Sequence, residues 1–304
     1  MTQIKITFLG TSGSMPTPER GSSSQVIRFG RELLMFDCGE GTQRQMVKAH
    51  IGFQRHMRIF ISHMHGDHVL GLPGMLQSMS LLGREKPLYI YGPEGLVEYI
   101  KAFSDSLGGP TFPVILHEIN EPGIVLETEE YRIEAIRAIH RETAWSYGFF
   151  EFPRPGRFYQ EKAVKLDIPK GKLWGRLHHG EIIELNGRKI YPDQVRGPER
   201  PGRTIIYSGD TAPNEKLIEL SKDADLLIHE ATFLDELAAR AAEDGHTTAY
   251  QAAQIAKEAE VKLLVLTHIS PRYPESEILR LEAENVFKDV LVAEDFLELE
   301  LPLK

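Results

Sequence analysis

The sequence predicts an α/β fold of two stacked βα layers carrying one inserted arm. Three observations predict it. Strand-type apolar runs alternate with amphipathic helical stretches in both halves of the chain. Five of those runs stop on a His, Asp or Glu. Between residues 153 and 203 the rhythm breaks into a stretch rich in Pro, Gly, Lys and Arg.

The elements follow in order. "IKITFLG" (4–10) reads as a strand, followed by the loop "TSGSMPTPERGSSS". "QVIRFG" and "ELLMFDCGEG" read as a hairpin, and "TQRQMVKAH" as a short helix. "MRIFIS" (57–62) is apolar on successive residues, the pattern of a strand covered on both faces. "PLYIYGP" is another strand, and "EGLVEYIKAFSDSL" a helix with Leu96, Tyr99, Ile100 and Phe103 on one side. "YRIEAIRAIH" (131–140) alternates, so Ile133, Ala135, Arg137 and Ile139 are expected on one face. Three more strands, "RTIIYSGDT", "DLLIHEATF" and "KLLVLTHIS", lie in the second half, with "TAYQAAQIAKEAE" (248–260) a helix between them. A single domain over 1–304, with the arm inserted at about 153–203, is the expected organisation.

Composition bounds the rest. The chain has 304 residues, 41% hydrophobic and 26% charged, as in an ordinary globular protein. No apolar run approaches the ~20 residues of a membrane span, and the opening "MTQIKITFLG" lacks a signal-peptide core. Cys38 is the only cysteine, so no internal disulfide is expected and a reducing, cytoplasmic setting is the simplest. A formal net charge of −9 argues against non-specific nucleic-acid binding. The arm has the opposite sign: between Arg154 and Lys189 there are nine basic residues against four acids.

The chemistry lies at the strand ends. "FISHMHGDHVLGLPG" places His63, His65, Asp67 and His68 just after a strand. His140, Asp210, the pair His229 and Glu230, and His268 end four others. Strand C-termini are where an α/β sheet presents residues to one side. Neutral imidazole and carboxylate are ligands that suit zinc. His63 and His65 can face one ion, Asp67 and His68 a second, and a carboxylate such as Asp210 can bridge both. A lone histidine such as His50 or His117 is more simply a hydrogen-bonded structural residue.

The spaced set His-x-His-x-Asp-His with distant His, Asp and His resembles the metallo-β-lactamase fold. That resemblance implies an αββα sandwich with two zinc ions per chain. It assigns His63, His65 and His140 to the first ion, Asp67, His68 and His268 to the second, and Asp210 to the bridge. "FLGTSGSMPTPERGSSS", "LMFDCGEGTQRQM", "PRPGRF", "YSGDTAP", "LIHEATF", "GHTTAYQAAQIA" and "LTHISPRY" together resemble the short form of the tRNase Z family. This implies a homodimeric endoribonuclease that removes 3′ trailers from precursor tRNA. It also implies that the arm is an exosite gripping the tRNA, for which Arg154, Arg157, Lys170, Lys172 and Arg176 are the candidates. The loop 16–21 matches the place where the family senses nucleotides at the cut, which makes Arg20 a candidate contact. The chain departs from the family in carrying Gly21 where Asn is common, and Thr247 where Ser is frequent.

Two acid–base roles are expected. Asp67 is placed to orient the attacking water and take its proton. His246, oriented by Glu230, is the candidate proton donor to the leaving 3′ oxygen, although Glu230 could instead anchor a metal ligand. Thr247 is expected to cap the helix that follows, leaving His246 free. The Pro/Gly punctuation of the segment, with Phe158, Tyr159 and Trp174 beside its charges, suggests a protruding arm that contacts phosphates. The alternative function is a hydrolase of small phosphodiesters or esters on the same fold.

Overall fold

A computed structural model describes residues 3–304 of the chain. Its first sheet is formed by β1 (Ile4–Gly10), β2 (Ser24–Phe29), β3 (Glu32–Phe36), β4 (His56–Phe60), β5 (Leu88–Gly92) and β6 (Val114–Glu118) in that order. Its second contains β7 (Gly123–Glu127), β8 (Tyr131–Arg137) and β9 (Trp145–Glu151). After the hairpin β10 (Ile183–Leu185) and β11 (Arg188–Ile190), the second sheet continues with β12 (Thr204–Tyr207), β13 (Leu226–Glu230), β14 (Leu264–Thr267) and β15 (Val290–Val292). The final strand, β16 (Glu298–Leu301), pairs antiparallel with β1 and so belongs to the first sheet. β3 to β6 pair in parallel, as do β12 to β15. Parallel strands put their C-terminal ends on one edge, and that shared edge collects the ligand residues.

Alternation along each strand makes the layers. Leu33 and Met35 of β3, and Met57 and Ile59 of β4, pack with Met75, Leu76 and Met79 of α3 (Gly71–Leu81) and Ile100 and Phe103 of α4 (Leu96–Leu107). Their neighbours Phe36 and Phe60 point the other way, to Tyr147 of β9 at 5.9 and 5.6 Å between ring centroids. Tyr207 of β12 lies 5.7 Å from Phe36. An aromatic seam therefore joins the two sheets, and the successive apolar residues of β4 are needed because both faces are covered. On the far side α9 (Ala249–Glu258) packs on β13 and β14 through a buried alanine-rich face. Small side chains there let helix and sheet approach closely. The sequence expectation of two βα layers corresponds to this αββα sandwich.

Several local expectations need correction. The strand expected over 131–140 stops at Arg137, and Ile139 is 52% exposed. Backbone pairing ends there because Ala138 N donates to Ala144 O and turns the chain. His140 and Asp210 each lie three residues beyond their strands, on loops. Helix α9 is capped by Thr248 rather than Thr247. Its hydroxyl accepts from Gln251 N and Gln251 Oε1 accepts from Thr248 N, a reciprocal capping box. Thr247 turns inward and donates to Thr211 O.

The chain divides into two compact units. The first holds the two large sheets except Tyr131 of β8 and Phe150 and Glu151 of β9. The second comprises Phe150–Arg203, Glu129–Tyr131 and Lys304. It contains α5 (Gln160–Lys165), α6 (Lys172–His178) and the β10–β11 hairpin around buried Ala163, Ile168, Leu177, Ile183, Ile190 and Val195. Phe158 and Trp174 pack against this small core with their rings tilted at 38° and 5.4 Å apart, and Trp174 Nε1 donates to Ile168 O. Both rings are partly buried against that core, so they help to hold the arm together. At the two ends of the segment Glu151 takes a bidentate pair from Arg203, Nε at 2.7 and Nη2 at 2.8 Å, while Glu151 N donates to Arg203 O.

Candidate metal centre

The seven predicted ligands converge at the strand edge of the first unit. His63 Nε2 lies 2.9 Å from His65 Nδ1, which lies 3.3 Å from His140 Nε2. His268 Nε2 is 3.4 Å from His68 Nε2 and 3.3 Å from Asp67 Oδ2. Asp210 Oδ2 stands between the groups, 3.7 Å from His63 Nε2, 3.4 Å from His68 Nε2 and 3.3 Å from His268 Nε2. Four ligands about 2.0–2.1 Å from a tetrahedral ion lie about 3.3 Å from one another. The donor spacings have that size.

Two further observations fit a metal. Facing imidazole nitrogens at 2.9 Å cannot both carry a proton, and a cation between their lone pairs satisfies both. Asp210 Oδ1 is buried and has no hydrogen-bond partner among the described residues, a costly state that an ion would relieve. Protonation states agree in part. Burial drives His63 well below its ordinary pKa, so it is neutral. Burial alone would raise Asp67 and Asp210, but His68 and His268 hold both well below the usual carboxylate range. His68 differs. Burial opposes its charge, but Asp210, Asp37 and Asp67 push its pKa well above the ordinary value, so it must release a proton to ligate.

The backbone places these groups through short, strained turns. His65, itself extended, precedes the single turn α2 (Gly66–Val69), which swings Asp67 and His68 inward. His268, Asp37 and Ser14 all have left-handed backbone, with φ of 56°, 58° and 63°. Two glycines are required. Gly209 has φ +58, and a Cβ there would sit 2.9 Å from Ser62 Cβ and Trp145 O. A Cβ on Gly13 would meet His268 Nδ1 at 2.8 Å.

Groups not singled out from the sequence hold the ligands in place. Asp37, buried at the end of β3, accepts from Ser62 N at 2.7 Å, Ser62 Oγ at 2.8 Å and Tyr207 OH at 2.6 Å, and binds His68 Nδ1 at 2.7 Å. Thr232 Oγ1 donates to Glu230 Oε2 at 2.7 Å and lies 2.9 Å from His268 Nδ1. His140 Nδ1 meets Gly245 O at 2.8 Å, and Ser14 N donates to Asp67 Oδ2 at 2.7 Å. Such partners fix ring orientation. The signal for Asp37 was available: like His268, it follows an apolar strand directly, in "LLMFDCGEG".

His246 stands beside the ligands with Nδ1 2.8 Å from Glu230 Oε1 and 3.9 Å from Asp210 Oδ2. Burial would lower its pKa, but the Glu230 carboxylate raises it to about 9. Glu230 also accepts from Thr211 N and Thr232 N, so it is fixed on three sides. His229, the other residue ending β13, is fully buried with Nδ1 on Glu230 O and lies outside the ligand groups. These groups open into a cleft of about 540 Å³ lined by His65, Asp67, His140, Asp210 and His246 among others.

The substrate-contact candidates are placed differently. Arg20 spends its guanidinium on Thr11 Oγ1, Ala293 O and Ser276 Oγ at 2.6–2.8 Å, so it braces the loop it belongs to. In the arm, Arg157, Lys170 and Lys172 are exposed. Arg176 pairs with Glu181 at 2.7 Å, and the half-buried Arg154 lies 3.6 Å from Glu151.

A sandwich of two sheets with a His/Asp centre of this spacing defines a metallo-β-lactamase-fold hydrolase. Residues 196–269 match the model of the beta-lactamase superfamily domain, and residues 4–152 that of the anti-Pycsar protein Apyc1. Ribonuclease Z of Methanosarcina acetivorans is 48% identical over 303 residues, covering 99% of each chain. Ribonuclease Z of Methanothermobacter thermautotrophicus is 44% identical, covering 98% of this chain and 97% of that one. The crystal structure of human tRNase Z, short form, superposes with a TM-score of 0.73 at 30% identity, covering 98% of this chain and 100% of that chain. The chain belongs to the ribonuclease Z family and is an endoribonuclease-type hydrolase. These relatives favour the nuclease over a hydrolase of small phosphodiesters or esters.

Proposed function

We propose that this chain, the tRNA 3′-processing endoribonuclease its family membership implies, works with two zinc ions. His63, His65 and His140 would hold the first and Asp67, His68 and His268 the second, with Asp210 shared. The observation that carries this is the single Asp210 oxygen within 3.3–3.7 Å of nitrogens from both groups. Bound zinc would supply Lewis acidity at the phosphate and a water acidified to near-neutral pKa. The chain supplies the rest. Asp67, ionised and steadied by Ser14 N–H, accepts the water's proton. His246, protonated and aimed by Glu230, donates a proton to the leaving 3′ oxygen, so the tRNA keeps a 3′-hydroxyl.

The basic stretch of 153–203 is proposed as a tRNA-binding arm inserted into one catalytic domain. Arg157, Lys170 and Lys172 are its best phosphate contacts because they are exposed and make no ion pair among the described residues. Arg154 and Arg176 are the weaker candidates, being engaged by acids. Arg20 is proposed to shape the cleft-side loop and so to affect recognition at the cut. A cytoplasmic homodimer completes the reading; no helix among the described residues is long and apolar enough to cross a membrane.

The test is cleavage of a 3′-extended precursor tRNA by the zinc-loaded chain beside His65→Ala and a chelated sample. One endonucleolytic cut near the discriminator, lost in both controls, is expected. Intact tRNA together with turnover of a small phosphodiester would overturn the substrate assignment.

A further inference from the structure

Three arginines line the cleft: Arg141, Arg240 and Arg272. Two are already spent. Asp244 takes Arg141 at 2.7 Å on Oδ1 and Arg240 at 3.3 Å on Oδ2, and Glu243 O takes Arg141 again. Arg272 makes no ion pair among the described residues. Only its Nε is used, donating to Ser270 Oγ at 3.0 Å. The four N–H groups on its two terminal nitrogens therefore remain for a ligand.

The side chain is nonetheless held in place. Its guanidinium lies 4.9 Å from the centroid of Phe233, a ring only 4% exposed. The turn that carries it is closed by Tyr273 N donating to Ser270 O, and tied to the next segment by Leu234 N donating to the Tyr273 hydroxyl. The same Phe233 ring meets His246 edge-on at 6.0 Å. One aromatic ring thus touches both the unspent, planar cation and the proposed proton donor, with the spent Arg240 farther off at 6.0 Å. A planar fork with free donors matches the oxygens of a phosphate diester.

We infer that Arg272 binds the phosphate next to the scissile one, fixing the register of the RNA strand in the cleft. This rests on the proposed nuclease reading. Substrates with one phosphate cannot use the contact, and polymers can.

The test compares Arg272→Ala, Arg272→Lys and Arg240→Ala on two substrates, a 3′-extended precursor tRNA and bis(p-nitrophenyl) phosphate. A charge-assisted contact of about 1.5–3 kcal/mol corresponds to roughly 10- to 150-fold. Arg272→Ala is expected to lower kcat/KM on tRNA at least about tenfold more than on the small diester. Lysine should restore part of that loss, and Arg240→Ala should show a smaller difference because Asp244 already occupies its charge. Binding of labelled precursor tRNA to the chelated protein should lose about 0.7–0.9 from its salt slope in Arg272→Ala. Equal losses on both substrates, or an unchanged salt slope, would overturn the subsite while leaving the nuclease reading intact. A wild-type chain that turns over the diester and spares tRNA would sink the nuclease reading, and the subsite with it.

Discussion

The two ligand groups of the cleft use the same residue types and are held very differently. In one group His68 and His268 sit deep, with the part-buried Asp67 beside them at the cleft. His68 is wholly buried on Asp37, His268 is buried beside Thr232, and Asp67 takes a backbone N–H. Asp37 itself carries four partners, so the ring it orients has almost no freedom. In the other group His65 and His140 are shallower, while His63 is as fully buried as His68. The His65 side chain is 41% exposed, and its outward Nε2 has only Glu142 at 3.7 Å, itself 57% exposed. The deep group is preorganised by the sheet, whereas the shallow one is completed by loops. We expect the ions to differ accordingly, with the deep one held more tightly.

Three substitutions would sharpen or break that contrast. The largest effect is expected at Glu230→Gln, which strips the deep side of the partner that charges His246. The imidazole can donate only in its acid form, so activity falls as pH rises through its pKa. Glu230 raises that pKa to about 9 against the lowering effect of burial, and cations at Asp210 would bring the limb to or below that value. The variant should lose about 10²-fold or more in kcat at pH 8. Its alkaline limb should shift down toward 6.5 in a pH–rate profile. An unshifted limb would remove His246 from the role of proton donor.

Next comes Asp37→Asn. Loss of a carboxylate behind a metal-ligating histidine typically costs about 10- to 100-fold in metal affinity. Competition with a chromogenic chelator should show two steps in the wild type, and the variant should weaken the tighter one. If the weaker step moves instead, deep and shallow have been assigned in reverse.

The smallest effect belongs to Glu142→Gln. An exposed pair contributes at most about 1 kcal/mol, or about fivefold. The same chelator titration should leave the tighter step alone and shift the weaker by no more than that factor.

The sequence carried the ligands further than it carried their supports. His63, His65, Asp67, His68, His140, Asp210 and His268, the proposed ligands that the fold brings together, stood out because strand ends repeatedly stopped on metal-binding residue types, and a repeated coincidence is visible in one chain. Asp37 was not picked out because a single acid at a hairpin end is ordinary; its meaning depends on His68, 31 residues away. Strand lengths were overestimated at 131–140 because alternation continues through Ala138 and Ile139 after the backbone has already turned. Thr247 and Thr248 are chemically interchangeable as caps, and only the backbone decides which hydroxyl faces Gln251. The aromatics of the arm lie among lysines in the sequence, which conceals their packing partners. A segment of that size needs some apolar centre, and Phe158 and Trp174 are part of it.

The Glu151–Arg203 clamp at the ends of the arm has a consequence for how the molecule can be rebuilt. Because it brings the outgoing and returning chain side by side, whatever lies between them is a closed loop, and closure entropy grows only slowly with loop length. Shortening, lengthening or exchanging residues 154–202 between family members should therefore be tolerated as a cassette. Specificity for the body of the RNA could then change by grafting, with the ligand-bearing strands left in their own register.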